Sequence, residues 1–379
     1  MRPEILSLAV THFYNLCQEL KQLGPYSDSR KNQFKDEMIK MSENIYSQNI
    51  LAMPSASLGA LHYVLMVFTP WAQALDSRNC FTLSHEMREV MDNLCSKWID
   101  DYDKHIFAAT DGSFSFGYYP ADWGNLVNFI NRNLGVSFAH QLFIFNVPKH
   151  LHHDFLFIGS LYHEMGHFVE KYYNMRDQVA QKIIDRLDNG QYVDIIKDDL
   201  FPIIKETYDN KGACINEDLR RSMIEKQSAE YIADLFGAQY LGEHIWNHIE
   251  YVACGLYDRY DSEHPSPNCR KNLETAFLKD VQDNILLNDI KDEFKTIGRP
   301  LQRRFQIIAD APSLSKGQPV KIMNDDELQS LLMLGWNVYL KGPAAYDQEI
   351  GNTVKPTSKA DFYFILNEAI RKSIENYFN

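Results

Sequence analysis

Residues 159–173 read GSLYHEMGHFVEKYY, and within them His163, Glu164, Met165, Gly166 and His167 spell an H-E-x-x-H pattern. Ile158, Leu161, Met165, Phe168 and Tyr172 recur at alternating steps of three and four, which predicts an amphipathic helix anchored by that face. At 3.6 residues per turn, side chains four apart lie about 40° from each other around the axis and about 6 Å along it, so both imidazoles project from one side and can share one ion. Glu164 projects beside that stripe, where a carboxylate can act on a metal-bound water without being a ligand. Gly166 is disfavoured in a helix interior by roughly 1 kcal/mol relative to alanine, which implies a close approach by another backbone.

A catalytic zinc takes three protein ligands and leaves a fourth position to water, so the motif needs a partner. Residues 226–242, KQSAEYIADLFGAQYLG, place Glu230 and Asp234 four apart on a second predicted helix, interrupting the apolar run of Tyr231, Ile232, Ala233, Leu235 and Phe236. Like charges at that spacing are mildly unfavourable, and a role for the pair is the simpler explanation. Glu230 is the expected third ligand. Asp234 is expected to accept a hydrogen bond from the other ring nitrogen of a ligand histidine, His163 first, fixing its tautomer. Ala233, Gly237 and Ala238 let the two helices pack closely enough for one ion to join them.

H-E-x-x-H followed by E-x-x-x-D on a second helix resembles the gluzincin metallopeptidases, and His264, Pro265 and Arg270 add an H-P-x-x-x-x-R element similar to that of the CAAX prenyl endopeptidase-like branch. The resemblance covers roughly residues 140–270. It implies a zincin-like core, a Zn2+ cofactor and hydrolysis of a peptide or protein substrate. That branch is usually embedded in membranes, whereas this chain offers no set of spans, so its membrane-specific substrates are not carried over. Glu164 is the expected general base. A second donor should face the developing oxyanion; His264 is the first choice, with Tyr257 and Arg270 as further candidates for contacting substrate or oxyanion.

Around this centre, residues 1–105 read as helices, through Ile5, Leu8, Ala9, Phe13, Leu16 and Leu20, and again through Met87, Val90, Met91, Leu94 and Trp98. From about 112 the period shortens: Phe114, Phe116 and Tyr118 alternate, and the β-prone run Ser137–Val147 follows, so strands of a small sheet are expected here. The strand ending near Val147 precedes the metal helix and is expected to offer an edge to an extended peptide. Helical patterning resumes near Asp154, breaks near Asp209–Gly212 and His264–Pro267, and returns for two last helices at about Asp325–Leu340 and Ser358–Tyr377. The expected fold is α+β and mostly helical, with a helical region over 1–110, the zincin-like core over 111–270 and a mostly helical region over 271–379.

The apolar run from Asn44 to Leu75 contains no charged side chain, but Pro54, Ser55, Ser57, Gly59, His62, Pro70 and Gln73 interrupt it. A buried core helix is expected rather than a membrane span. The formal net charge of −13 argues against a nucleic-acid partner. Cys17, Cys80, Cys95, Cys214, Cys254 and Cys269 are scattered without close pairing, the pattern of reduced thiols in a cytoplasmic protein. His150, His152 and His153 read as a polar loop, and Glu170 as a residue behind the ligands or in solvent. Two other classes stand beside the peptidase. One is a latent or non-catalytic zincin-like protein that binds peptides. The other is a di-iron carboxylate bundle, which needs a second E-x-x-H that the sequence lacks. Nothing in the pattern sets the oligomeric state.

Overall fold

The computed structural model describes residues 2–26, 28–76, 84–111, 123–191, 201, 217–253, 260–342 and 358–379. In chain order these form α1 (Pro3–Lys21), α2 (Ser29–Tyr46), α3 (Ser55–Leu75), α4 (His85–Trp98), β1 (His105–Asp111), α5 (Trp123–Leu134), β2 (Gln141–Val147), α6 (Ser160–Tyr172) and α7 (Met175–Asp188). There follow α8 (Glu217–Leu241), α9 (Ile245–Ala253), α10 (Pro267–Leu278), α11 (Ile285–Thr296), α12 (Ala311–Ser315), α13 (Asp325–Lys341) and α14 (Lys359–Phe378). The described residues are therefore mostly helical with one small parallel sheet. Two compact units emerge: Met1–Ser84 with Asp100–His152, and His85–Ile99 with His153–Asn379. These limits do not coincide with the boundaries expected at 110 and 270.

In the first unit α1, α2 and α3 pack around an apolar centre where Phe34, Phe68, Trp71 and Phe138 meet with ring centroids 4.9–6.5 Å apart. The buried stripe of α1 is Leu6, Val10, Phe13, Cys17 and Leu20, one residue round from the expected start; Ile5 and Leu8 are about half exposed. Asp28 caps α2 by accepting from the Arg30 N–H at 2.9 Å, which satisfies one of the orphan donors of that helix end. By length and composition α3 could cross a membrane; it buries Leu61, Val64, Leu65, Phe68 and Trp71 in this unit.

The sheet differs from expectation in one respect. The alternation of Phe114, Phe116 and Tyr118 lies outside the described residues, and the partner of β2 is β1, which precedes it. β1 and β2 run parallel, from His105 opposite Gln141 to Asp111 opposite Val147. Parallel neighbours need a crossover too long for a hairpin, and α5 lies within it, a helix between the two runs expected to be strands. Leu126, Ile130 and Leu134, four apart, give α5 its buried stripe. In β2 the buried residues Leu142, Phe143, Ile144 and Phe145 are consecutive, the run expected of a strand covered on both faces. His152 lies in a turn, as expected, but it is buried, with Nε2 2.7 Å from the Val147 carbonyl.

The second unit is built around α8, which packs on α6, α7, α9, α10 and α13 and is buried on nearly all sides from Met223 to Leu241. The N-terminal half of the chain contributes α4. Met87, Val90, Met91, Leu94 and Trp98 are its buried face, as the pattern predicts. The Trp98 indole donates to Tyr240 Oη at 2.6 Å and packs edge-on against Phe236 and Phe294. Arg371 of α14 holds Glu86 at 2.9 Å. The last helices fall within a residue of their expected limits.

Candidate metal centre

α6 buries Leu161, Met165 and Phe168, its expected apolar anchors, together with Tyr162 and Val169. The opposite side lies against α8, and Gly166 is the reason that it can. A Cβ at this position would stand 2.6 Å from Ala233 Cα and 2.9 Å from its carbonyl oxygen, distances no side chain tolerates. Gly237, one turn on from Ala233, faces the Ile245 side chain, which a Cβ would meet at 2.7 Å, and lies at ordinary contact distance, 3.6 Å, from the His163 backbone nitrogen. The small residues thus bring two backbones together, and the side chains at the seam converge.

At that seam His163, His167 and Glu230 each present a ligand atom, all within 4.8 Å of one another. Glu230 Oε1 lies 3.2 Å from His167 Nε2, and Oε2 lies 3.6 Å from His163 Nε2. The rings of His163 and His167 are nearly perpendicular, with centroids 4.6 Å apart. Asp234 Oδ1 sits 2.8 Å from His163 Nδ1, as expected. With the ring proton on Nδ1, the His163 Nε2 lone pair is directed at the centre. Glu164, next to both histidines in sequence, is buried at 5% exposure.

The electrostatics follow from burial set against these contacts. Burial pushes the Glu164 carboxyl up to about 8. Burial also disfavours a charged His167, but Glu230 outweighs it and raises the imidazole to about 9. For Glu230 burial is overcome by His167 and Arg270, which hold the carboxylate well below its ordinary range. Asp234 is lowered for the same reason, with Arg270 the larger opponent of burial and His163 the smaller. Burial keeps His163 below the ordinary imidazole range in spite of Asp234.

Arg270 enters from α10. Ser266 caps that helix by accepting from the Cys269 N–H, Pro267 occupies its first turn, and Arg270 follows within the same turn. The H-P-x-x-x-x-R element is thus a turn and cap that delivers an arginine. The guanidinium is not held out toward substrate: Nε and Nη2 donate to the two oxygens of Asp234, both at 2.6 Å, and Nη1 lies 3.3 Å from Glu230 Oε2. Sequence reasoning missed this assignment. The signal was the Glu230–Asp234 pair itself, since two buried carboxylates one turn apart call for a cation.

His264 is not brought into this cluster. Its side chain is about half exposed, and both its backbone N–H and its ring Nδ1 are engaged by Asp261. That is a turn-forming contact and gives no support to an oxyanion role. Tyr257 lies outside the described residues. Glu170 is buried rather than solvated, with Oε2 unpartnered among the described residues and Oε1 4.0 Å from Arg176 Nη1. Cys17, Cys95 and Cys269 are buried thiols outside any disulfide; the other three cysteines lie outside the described residues.

Two imidazoles and one carboxylate are the donor set of a catalytic zinc site, and the structure gathers them with one histidine already oriented. No family model, no curated protein and no solved structure matches the chain.

Proposed function

We propose that the protein is a zinc-dependent peptidase of the gluzincin kind, with His163, His167 and Glu230 as ligands and Glu164 as general base. The observation that carries this is the convergence of those three ligand atoms within 4.8 Å across two helices, beside a buried carboxyl. Charge balance supports it. Glu230 and Asp234 share the Arg270 guanidinium, and with Glu164 also ionised two negative charges among these described groups are left over, which a divalent cation would cancel. In the apo-protein the same balance is struck by a proton on His167 and another on Glu164, which fits the upward shift of both groups.

When bound, zinc would polarise the scissile carbonyl and bring a water's acidity toward neutrality. Glu164 then takes the water's proton on its carboxylate and passes it to the leaving nitrogen. Asp234 keeps the His163 proton on Nδ1, so that Nε2 stays a ligand. α6 and α8, locked at Gly166 and Ala233, hold these groups still. The paired helices carry the zincin-like reading. The parallel sheet belongs to the other unit.

Metal analysis of the purified protein should find about one zinc per chain. Incubation with a mixed peptide pool, followed by mass spectrometric mapping of new termini, should reveal cleavage. Glu164→Gln should keep the zinc and cleave about a thousandfold more slowly. Full activity in that variant would remove the general base; absence of zinc from the wild type would remove the whole reading. Zinc without cleavage would favour a latent or peptide-binding protein.

A further inference from the structure

Arg270 does more than a zinc site with a general base requires. A guanidinium is planar, and its donors leave it in fixed directions. With Nε and Nη2 seated on Asp234, both at 2.6 Å, the place of Nη1 is settled, at ion-pair distance from Glu230 Oε2, 3.3 Å away. The other oxygen, Glu230 Oε1, faces His167 Nε2 at 3.2 Å. Each carboxylate oxygen thus faces one ligand imidazole, Oε1 toward His167 and Oε2 toward His163 at 3.6 Å, and Oε2 alone also has the guanidinium beside it. Asp234 Oδ1 also takes the His163 Nδ1–H, so one rigid cation governs both a ligand histidine and the ligand carboxylate. Arg270 is itself only 12% exposed on its side chain, which leaves little water to compete for these donors.

A carboxylate beside zinc can bind through one oxygen or two. A second oxygen would compete for the position that a catalytic site reserves for water. Resting on the peptidase reading above, we propose that Arg270 is a positioning residue: its fixed positive charge beside Glu230 Oε2 restrains that oxygen, restricts Glu230 to single-oxygen ligation and keeps a coordination place for the attacking water. Turning Oε2 onto the metal would draw it away from the ion pair with Arg270 in a buried site, which makes the two-oxygen mode the costlier one.

The test uses the full chain with Arg270→Lys and Arg270→Ala. Lysine keeps a positive charge but cannot fork across Asp234 while reaching Glu230. Zinc affinity is read by chelator competition, and ligation by the visible absorption of the cobalt(II)-substituted protein, which is stronger for four-coordinate than for five-coordinate cobalt. The wild type should show the strong four-coordinate bands. Arg270→Lys should bind zinc about 10- to 100-fold more weakly and show the weaker bands of a fifth ligand atom. Arg270→Ala should go further in the same direction, and if it fails to fold the lysine variant decides alone. Unchanged cobalt bands in Arg270→Lys would overturn the proposal, whether or not affinity falls, because a residue that only supports the fold would not alter the ligand count. A wild type that takes up neither zinc nor cobalt would instead overturn the peptidase reading itself.

Discussion

The centre of the first unit and the α6–α8 seam of the second are both largely buried, yet they are made of opposite materials. Phe34, Phe68 and Trp71 meet in the first without one ionisable group among them. The second buries His163, Glu164 and Asp234 at 6%, 5% and 2% exposure, with Glu230 and Arg270 beside them. Apolar burial stabilises at roughly 25 cal/mol per Å2, so the first region accounts for itself. Taking ions out of water costs several kcal/mol each, and paired ions recover that only with excellent geometry. A seam that buries Glu230, Asp234, His167 and Arg270 together is what the proposed metal site would require. Packing alone would be better served by leucines.

That contrast can be broken from either side. Phe68→Ala should cost about 3–5 kcal/mol in denaturant unfolding, through lost burial and a cavity among Phe34, Trp71 and Phe138, while zinc affinity of the folded protein stays at the wild-type value. A simultaneous loss of zinc would mean that the two regions do not work separately. Glu230→Ala is the counterpart in the seam: zinc affinity should fall at least about 100-fold by chelator competition, beyond what loss of an outer partner costs. An unchanged affinity would take Glu230 out of the ligand set.

Two glycines sharpen the comparison at smaller scale. Gly166→Ala forces a methyl onto the Ala233 backbone, and parting the helices should destabilise the protein by about 1–3 kcal/mol and weaken zinc binding with it. Gly59→Ala, on α3 of the first unit, meets nothing within 4 Å and should instead stabilise by about 0.5–1 kcal/mol in the same thermal or denaturant assay. Equal effects at the two positions would deny Gly166 its special place.

The effect of pH has two halves with opposite slopes. His167 is raised to about 9 in the folded apo-protein, so the stability that its proton confers is whole below the ordinary imidazole range and is lost as pH climbs through about 9. Glu164, raised to about 8, has the same sign. Apo-protein melting temperature should fall between about pH 6.5 and 9. Zinc must displace the His167 proton, so its affinity should rise over that window, by up to about tenfold per pH unit. Parallel slopes in calorimetry and metal titration would show that His167 carries no such proton.

The helices and their stripes were legible where a local period reported them: Met87 to Trp98 in α4, Leu161 to Phe168 in α6, and the two last helices. The seam was legible because H-E-x-x-H is local and because Glu230 and Asp234 are out of place in an apolar helix. Gly166 was legible by the same logic, as a helix interior residue with a cost and no local benefit. What failed to show lay in relations between segments. A one-residue rotation of α1 exchanges Ile5 and Leu8 for Leu6 and Val10, and the apolar residues of α1 permit either. The crossover helix α5 was masked by neighbouring aromatic alternation, so the parallel pairing of β1 and β2 was not foreseen.

By itself, residue order determined which side chains share one helix face, since a 3.6-residue repeat needs no distant partner. It also determined that a histidine pair and an acidic pair were available to one another. Only the tertiary structure decided that Arg270 turns inward onto Asp234 and Glu230 while His264 stays with Asp261. Direction of that kind depends on how α10 docks against α8, which is set by packing across many residues and has no period to read.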